Sequence, residues 1–213
     1  MQAARGTPVG PSVRRRLVFV LVAVVAYAVD QVSKLLAVDR LEGRPDVRVV
    51  GDLLQLNLAY NPGAAFSTGT GLTPLITVVA IVAALAVLFY ARRVGSATWA
   101  VALGLLLAGI TGNLTDRLLR EPGPMRGHVV DFLQLPNWPI FNIADICINV
   151  AAGLIILQAV RGIGLDGTRT DEQVDAGADA DADADVQREQ REQGEPGRSG
   201  PLETESDEIK GAP

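Results

Sequence analysis

The sequence predicts an all-α membrane protein that crosses the bilayer four times and carries a small β-sheet and a group of polar residues on its outer side. Three observations lead there. Of the 213 residues, 48% are hydrophobic and the mean hydropathy is +0.25, which separates the chain from ordinary soluble domains. Four apolar runs occupy residues 17–38, 72–90, 97–114 and 141–160, each near the roughly 20 residues a helix needs to cross hydrocarbon. Three arginine clusters abut them on what four crossings make the same side: Arg14, Arg15 and Arg16 before the first, Arg92 and Arg93 after the second, Arg161 after the fourth. The positive-inside bias places all three clusters, and with them both termini, in the cytoplasm. The loops after the first and third runs then face outward.

Residues 1–16 form a cytoplasmic N-terminal segment. The first run, with its arginines and Ala26-Tyr27-Ala28, imitates a secretory signal, but it is too long for a signal core and three more runs follow, so it reads as an anchor. Near its outer end Asp30 and Lys34 lie four apart in the order that favours an ion pair on one helix face. Residues 47–58 alternate aliphatic and polar side chains, which predicts a short sheet at the membrane surface. That stretch leads into Asn61-Pro62-Gly63, a turn by ordinary chemistry, and then Ala64-Ala65-Phe66-Ser67, where small side chains leave backbone open to an extended peptide. The third run ends in Gly112-Asn113-Leu114-Thr115-Asp116-Arg117; Asn113, Asp116, Arg117 and Arg120 share a helical face, a polar helix end in which one arginine can hold several acceptors. The last outer segment carries Val129-Val130-Asp131-Phe132 and Phe141-Asn142-Ile143-Ala144-Asp145, with Asn142 and Asn149 on the face of Asp145.

The membrane part, residues 17–161, is followed by residues 162–213, an acidic tail expected to be disordered in the cytoplasm. Residues 1–164 carry a net charge of +5 and residues 165–213 carry −10, and the tail's alternating Ala and Asp cannot bury enough surface to fold. Cys147, the only cysteine, reads as packing, and His128, the only histidine, as an incidental loop residue.

A charge inside a spanning helix costs roughly 2.5–3.5 kcal/mol, so each one is a functional hypothesis. Asp131 and Asp145 stand in an apolar, interfacial neighbourhood of Phe132, Leu133, Leu135, Trp138, Ile140 and Phe141, where solubility does not explain them. Two carboxyls brought together there cannot both ionise; one holds a proton while the other stays basic. Such a pair can activate water against a peptide carbonyl without a covalent intermediate. The same residues also fit a structural hydrogen-bond pair. Three other classes compete: a Ser33–Lys34 peptidase, which fails because helix neighbours diverge; a transporter, which needs polar residues through the full thickness; and a lipid-binding or assembly protein.

Taken in order, Asp30-Gln31-Val32-Ser33-Lys34, Asn61 to Ser67, Gly112 to Arg117, Val129 to Phe132 and Phe141 to Asp145 resemble the motifs of the lipoprotein signal peptidases, or signal peptidase II, across about residues 14–161. The resemblance implies four helices, a small extracytoplasmic sheet and a short extracytoplasmic helix over the site. It implies Asp131 and Asp145 as the catalytic dyad, with Asn61, Gly63, Asn113, Arg117, Asn142 and Ala144 lining or supporting the site, Asp30 and Lys34 as the family's first-helix pair, and Asp116 as a further site-supporting residue. The implied substrate is a prolipoprotein signal peptide cut just before a diacylglyceryl-modified cysteine, in contact with membrane lipid. No metal, cofactor or nucleic acid is expected, and the chain is expected to act as a monomer. The stretch 118–128 is longer than the usual link in that family, and the acidic tail is an addition.

Overall fold

The computed structural model of the protein describes residues 11–63 and 72–169. Four helices among them are long and apolar enough to cross a membrane: α1 (Pro11–Leu41), α2 (Thr73–Ala91), α3 (Ala97–Leu119) and α4 (Ile143–Val160). Outside them, β1 (Val47–Val50), β2 (Leu54–Asn61) and β3 (Val129–Gln134) form one antiparallel sheet in the order β1-β2-β3. The short helix implied over the site is not found among the described residues. Residues 64–71, including Ala64, Ala65, Phe66 and Ser67, and the tail from 170 onward lie outside them.

Helix α3 is central, packing on α1, α2 and α4. Its sequence explains why. Ala100, Gly104, Ala108 and Gly112 recur every four residues and are all buried, and small residues at that spacing let helix backbones approach closely where lipid supplies no hydrophobic drive. A methyl group added at Gly104 would stand 2.9 Å from the Phe19 carbonyl of α1, and one at Gly109 would stand 2.5 Å from the Ala144 carbonyl of α4. Ser96 caps α3 by accepting from the Trp99 N–H at 3.2 Å.

At the arginine-bearing end, Phe19, Val87, Ala91, Val94, Ala100 and Leu103 form one packed cluster. At the opposite end the sheet sits on α1 through Ala37, Leu41 and Phe132, with Leu56, Leu58, Leu133 and Ile143 against them. The sheet brings Asn61 opposite Val129 and Ala59 opposite Asp131. The far edge of β3 is closed by Phe141, whose N–H donates to the Leu133 carbonyl at 2.9 Å, and the next residue begins α4.

Three element ends differ from hydropathy. Helix α1 extends over both ends of the run at 17–38, and α3 continues past 114 to Leu119, where buried Asp116 and Arg117 have partners that favour continued helix. Helix α4 starts at Ile143 rather than 141, since Phe141 is strand-paired and Asn142 is the cap. Beyond Arg161, where the tail was expected to begin, the chain stays folded to Arg169: Ile163 bridges to Arg169, Leu165 packs on the cluster at that end, and the Leu165 carbonyl accepts from Gly95 N–H at 2.8 Å. Gly95 permits this approach, because a Cβ there would fall 1.4 Å from the Asp166 carbonyl oxygen.

Candidate active site

Asp131 and Asp145 line the same cleft, of about 540 Å³, at the end of the bundle away from Arg92, Arg93 and Arg161. Asp131 comes from β3 and is 3% exposed; Asp145 is the third residue of α4. The cleft is polar on one side, with Asn61, Asn113, Arg117 and Asn149, and apolar on the other, with Trp138, Pro139, Ile140, Phe141, Ile146 and Val150. Ile146 and Val150 are exposed on the surface of α4, so the cleft is open to the outside of the bundle there.

Three asparagines hold the two carboxylates, each with its amide oriented by a second partner. Asn61 Oδ1 accepts from Gly63 N–H (3.0 Å), which turns Nδ2 to donate to Asp131 Oδ2 (3.0 Å). Asn142 Oδ1 accepts from Asp145 N–H (3.1 Å), and its Nδ2 donates to Asp131 Oδ1 (2.6 Å) and to Asn113 Oδ1 (3.1 Å). Asn113 Oδ1 also accepts from Lys34 Nζ (2.9 Å), and its Nδ2 donates to Asp145 Oδ1 (2.9 Å). An amide has one accepting and one donating end, so fixing the oxygen fixes the donor. Asn142 further donates its backbone N–H to Asp145 Oδ2 at 3.1 Å, completing a capping box at the start of α4. One residue thereby ties both aspartates.

Behind this layer lies a buried ion cluster. Lys34, fully buried, meets Asp30 Oδ2 at 3.0 Å and Asp116 Oδ2 at 2.9 Å. Asp30 Oδ1 accepts the Ala144 N–H at 2.9 Å, satisfying a free donor at the α4 N-terminus. Asp116 accepts from Arg120 and from the Val130 N–H (3.3 Å), which fixes β3 beside Asp131. Gly112 makes room: a methyl there would lie 2.5 Å from Asp30 Oδ2. Arg117 donates Nη2 to the Gly63 carbonyl at 2.6 Å, while its Nη1 is buried without a partner at the cleft. Among the described residues it holds one acceptor, the Gly63 carbonyl.

Burial pushes the Asp131 carboxyl from 3.8 up to about 6, with the Asp145 charge adding to the rise and the amides of Asn61 and Asn142 opposing it. Among the described residues, no group of three or more His, Cys, Asp and Glu side chains is placed to hold a metal ion.

The sequence-derived residues Asn61, Gly63, Asn113, Arg117, Asp131 and Asp145 all line the cleft; Asn142, Ala144, Asp30, Lys34 and Asp116 stand behind it. His128 lines a separate cleft with Glu42, Tyr60, Leu119, Arg120 and Glu121. Ser33 Oγ donates to the Asp30 carbonyl at 2.7 Å, and Lys34 is engaged with the acids. Pro139, Ile146 and Val150 were not anticipated. Ile146 and Val150 follow Asp145 by one and five positions, a helical spacing that marks one face of α4.

A family profile described as Signal peptidase (SPase) II matches residues 22–161. Lipoprotein signal peptidases of three bacteria are similar to the chain. That of Leifsonia xyli subsp. xyli is 48% identical over 78% of this chain and 76% of its own length, and that of Rhodococcus jostii is 46% identical over 73% and 79%. That of Mycobacterium tuberculosis is 42% identical over 76% and 80%. Among solved structures, two of a bacterial membrane enzyme obtained by the in meso method are 27% and 28% identical, each with a TM-score of 0.60, and cover 68% and 67% of this chain and 88% and 92% of their own.

Proposed function

From the fact that this chain belongs to the signal peptidase II family, we propose that Asp131 and Asp145 are its catalytic pair and that its site works on the outer face of the bacterial cytoplasmic membrane. As a member of that family it is a membrane aspartic peptidase that cleaves lipoprotein signal peptides. The observation that carries the residue assignment is the sharing of one cleft by two carboxylates, both tied to Asn142. A buried carboxyl shifted to about 6 beside a second carboxylate favours a pair that holds one proton between them.

In the reaction, the ionised carboxylate takes a proton from water as the water oxygen attacks the scissile carbonyl. The other carboxyl gives its proton to the carbonyl oxygen, forming a gem-diol. Collapse breaks the C–N bond, the nitrogen receives the proton taken from water, one diol proton returns to the pair, and the other stays on the new carboxyl group. The asparagines hold both carboxylates in place through the cycle. Arg117 Nη1 is the donor left for a substrate carbonyl, which suits an extended signal peptide laid along Gly63 and β3.

The position of the cleft fits a diacylglyceryl-modified cysteine directly after the cut bond. Its lateral opening at Ile146 and Val150 lets acyl chains stay in the bilayer while the peptide reaches Asp131 and Asp145. Residues 17–161 constitute the peptidase, working as a monomer, with both termini on the arginine side and therefore cytoplasmic. Purified Asp131→Asn and Asp145→Asn proteins are expected to insert and fold yet leave a diacylated precursor uncut; normal cleavage by either would remove that residue from the mechanism.

A further inference from the structure

The β1–β2 hairpin exposes apolar side chains outside the spanning helices; its register brings Val47 and Val50 onto one face, while Val49, also exposed, falls at the register shift. Val47 pairs with Leu56 and Val50 with Leu54. Cross-strand partners share a face, as do strand residues two apart, so Val47, Val50, Leu54 and Leu56 lie together. Arg48 pairs with Gln55 on the other face. There Arg48 meets Asp52 at 3.2 Å in an exposed ion pair, and Asn57 donates to Gln134 at 3.0 Å. The register shift between Arg48 and Val50 turns the strand toward the tip, where Leu53 is 62% exposed; Val47 is 45% and Val50 54% exposed.

The hairpin rests on the end of α1. Leu56 packs at Ala37 and Leu41, and below them Val32, Leu35 and Leu36 of α1 are exposed. Depth follows from helix length. Helix α1 has 31 residues, about 46 Å of rise against roughly 30 Å of hydrocarbon. With Arg14 to Arg16 at one interface, about 20 residues bring the chain to Leu36 at the other. Ala37 and Leu41, and the hairpin resting on them, then stand at the boundary between acyl chains and headgroups.

We propose that the β1–β2 hairpin is a membrane-anchoring element whose apolar side chains, Val47 and Val50 on one face and Leu53 at the tip, are seated in the acyl-chain boundary of the leaflet on the aspartate side, with Arg48, Asp52 and Gln55 turned to water. Lipid fits this face better than a second copy of the chain: β1 is the edge strand but has only four residues and an irregular register, features that blunt edge pairing. The hairpin then fixes the depth of β2, and with it Asn61, relative to lipid. This inference rests on the helices spanning a bilayer and is independent of which residues are catalytic.

Single nitroxide labels test it. In a Cys147→Ala background, Val47→Cys, Val50→Cys, Leu53→Cys, Arg48→Cys and Gln55→Cys proteins are labelled, matched to the parent by thermal unfolding midpoint, and placed in phosphatidylcholine–phosphatidylglycerol vesicles. Collision with oxygen, which concentrates in acyl chains, is compared with collision with a water-soluble nickel chelate. The oxygen-to-nickel ratio is expected to be several-fold higher at 47, 50 and 53 than at 48 and 55. Equal ratios at all five positions would put the hairpin in water and overturn the proposal. Low accessibility to both reagents at 47 and 50 would mean a protein partner covers the face, which also overturns it.

Discussion

Asp131 sits where its charge is disfavoured, and the consequence is measurable as a pH dependence of stability. With a folded-state pKa of about 6 against 3.8 unfolded, the group's contribution is fully present below about pH 4 and lost as pH rises through 6. The loss amounts to about 3 kcal/mol. Asp131→Asn cannot ionise and escapes it. The substitution also sets an amide against the Asn61 and Asn142 donors, a cost that does not vary with pH. The unfolding midpoint of the variant, relative to parent, should therefore rise between pH 4 and 6.5 in detergent; a constant difference would mean that Asp131 ionises in the ordinary range. Lys34→Met tests the layer behind. It leaves Asp30 and Asp116 buried without their shared cation, which costs about 3–5 kcal/mol, and frees the Asn113 amide to turn from Asp145. A variant with parental stability and cleavage rate would show the cluster to be idle. At this scale the sequence was legible by residue type: acids, amides and one arginine at the outer helix ends. The partners were not legible, because the bonds from Lys34 to Asn113 and Asp116 span 79 and 82 positions and depend on the closeness of α1 and α3.

The helices depend on small residues at their crossings. Gly109→Ala would place a methyl 2.5 Å from the Ala144 carbonyl oxygen and 2.6 Å from Ile148 Cγ1. Backbone cannot yield as a flexible side chain can, so the substitution should cost about 1–3 kcal/mol by overpacking, read as a lower unfolding midpoint. Gly153, whose added methyl meets nothing within 4 Å, serves as control, and equal effects at the two sites would contradict this packing. The four-residue recurrence of Ala100, Gly104, Ala108 and Gly112 was present in the sequence and marks α3 as the central helix. Hydropathy, which registers only apolar content, passes over it and marks only the part of the helix up to 114. The start of α4 was also written in the chain. Asn142-Ile143-Ala144-Asp145 has the spacing of a capping box, so Asp145 serves both the local end of the helix and the cleft.

Across the whole molecule, the four apolar runs and the three arginine clusters set the architecture, and Asp131 and Asp145 fall at the end opposite Arg92, Arg93 and Arg161. What the sequence did not disclose was how far the fold reaches on the arginine side. The strongly acidic composition after 165 concealed Leu165 and Gly167, which return the chain to Gly95. Truncation should follow that boundary. Removing residues 171–213 is expected to leave the unfolding midpoint and cleavage rate unchanged, whereas removing residues 162–213 takes Leu165 from the core cluster and the Ile163 carbonyl from Trp99 Nε1 and should lower the midpoint; the two truncations behaving alike would refute this. The central claim is that Asp131 and Asp145 act as one unit on water. It is tested most directly by single-turnover cleavage of a diacylated precursor by Asp131→Asn, Asp145→Asn and the double variant. Each single substitution is expected to slow cleavage by about 100- to 10,000-fold, and the double variant to be no slower than the worse single, as for residues that work together. Losses that multiply in the double variant, or a single variant cutting at the parental rate, would contradict a shared dyad.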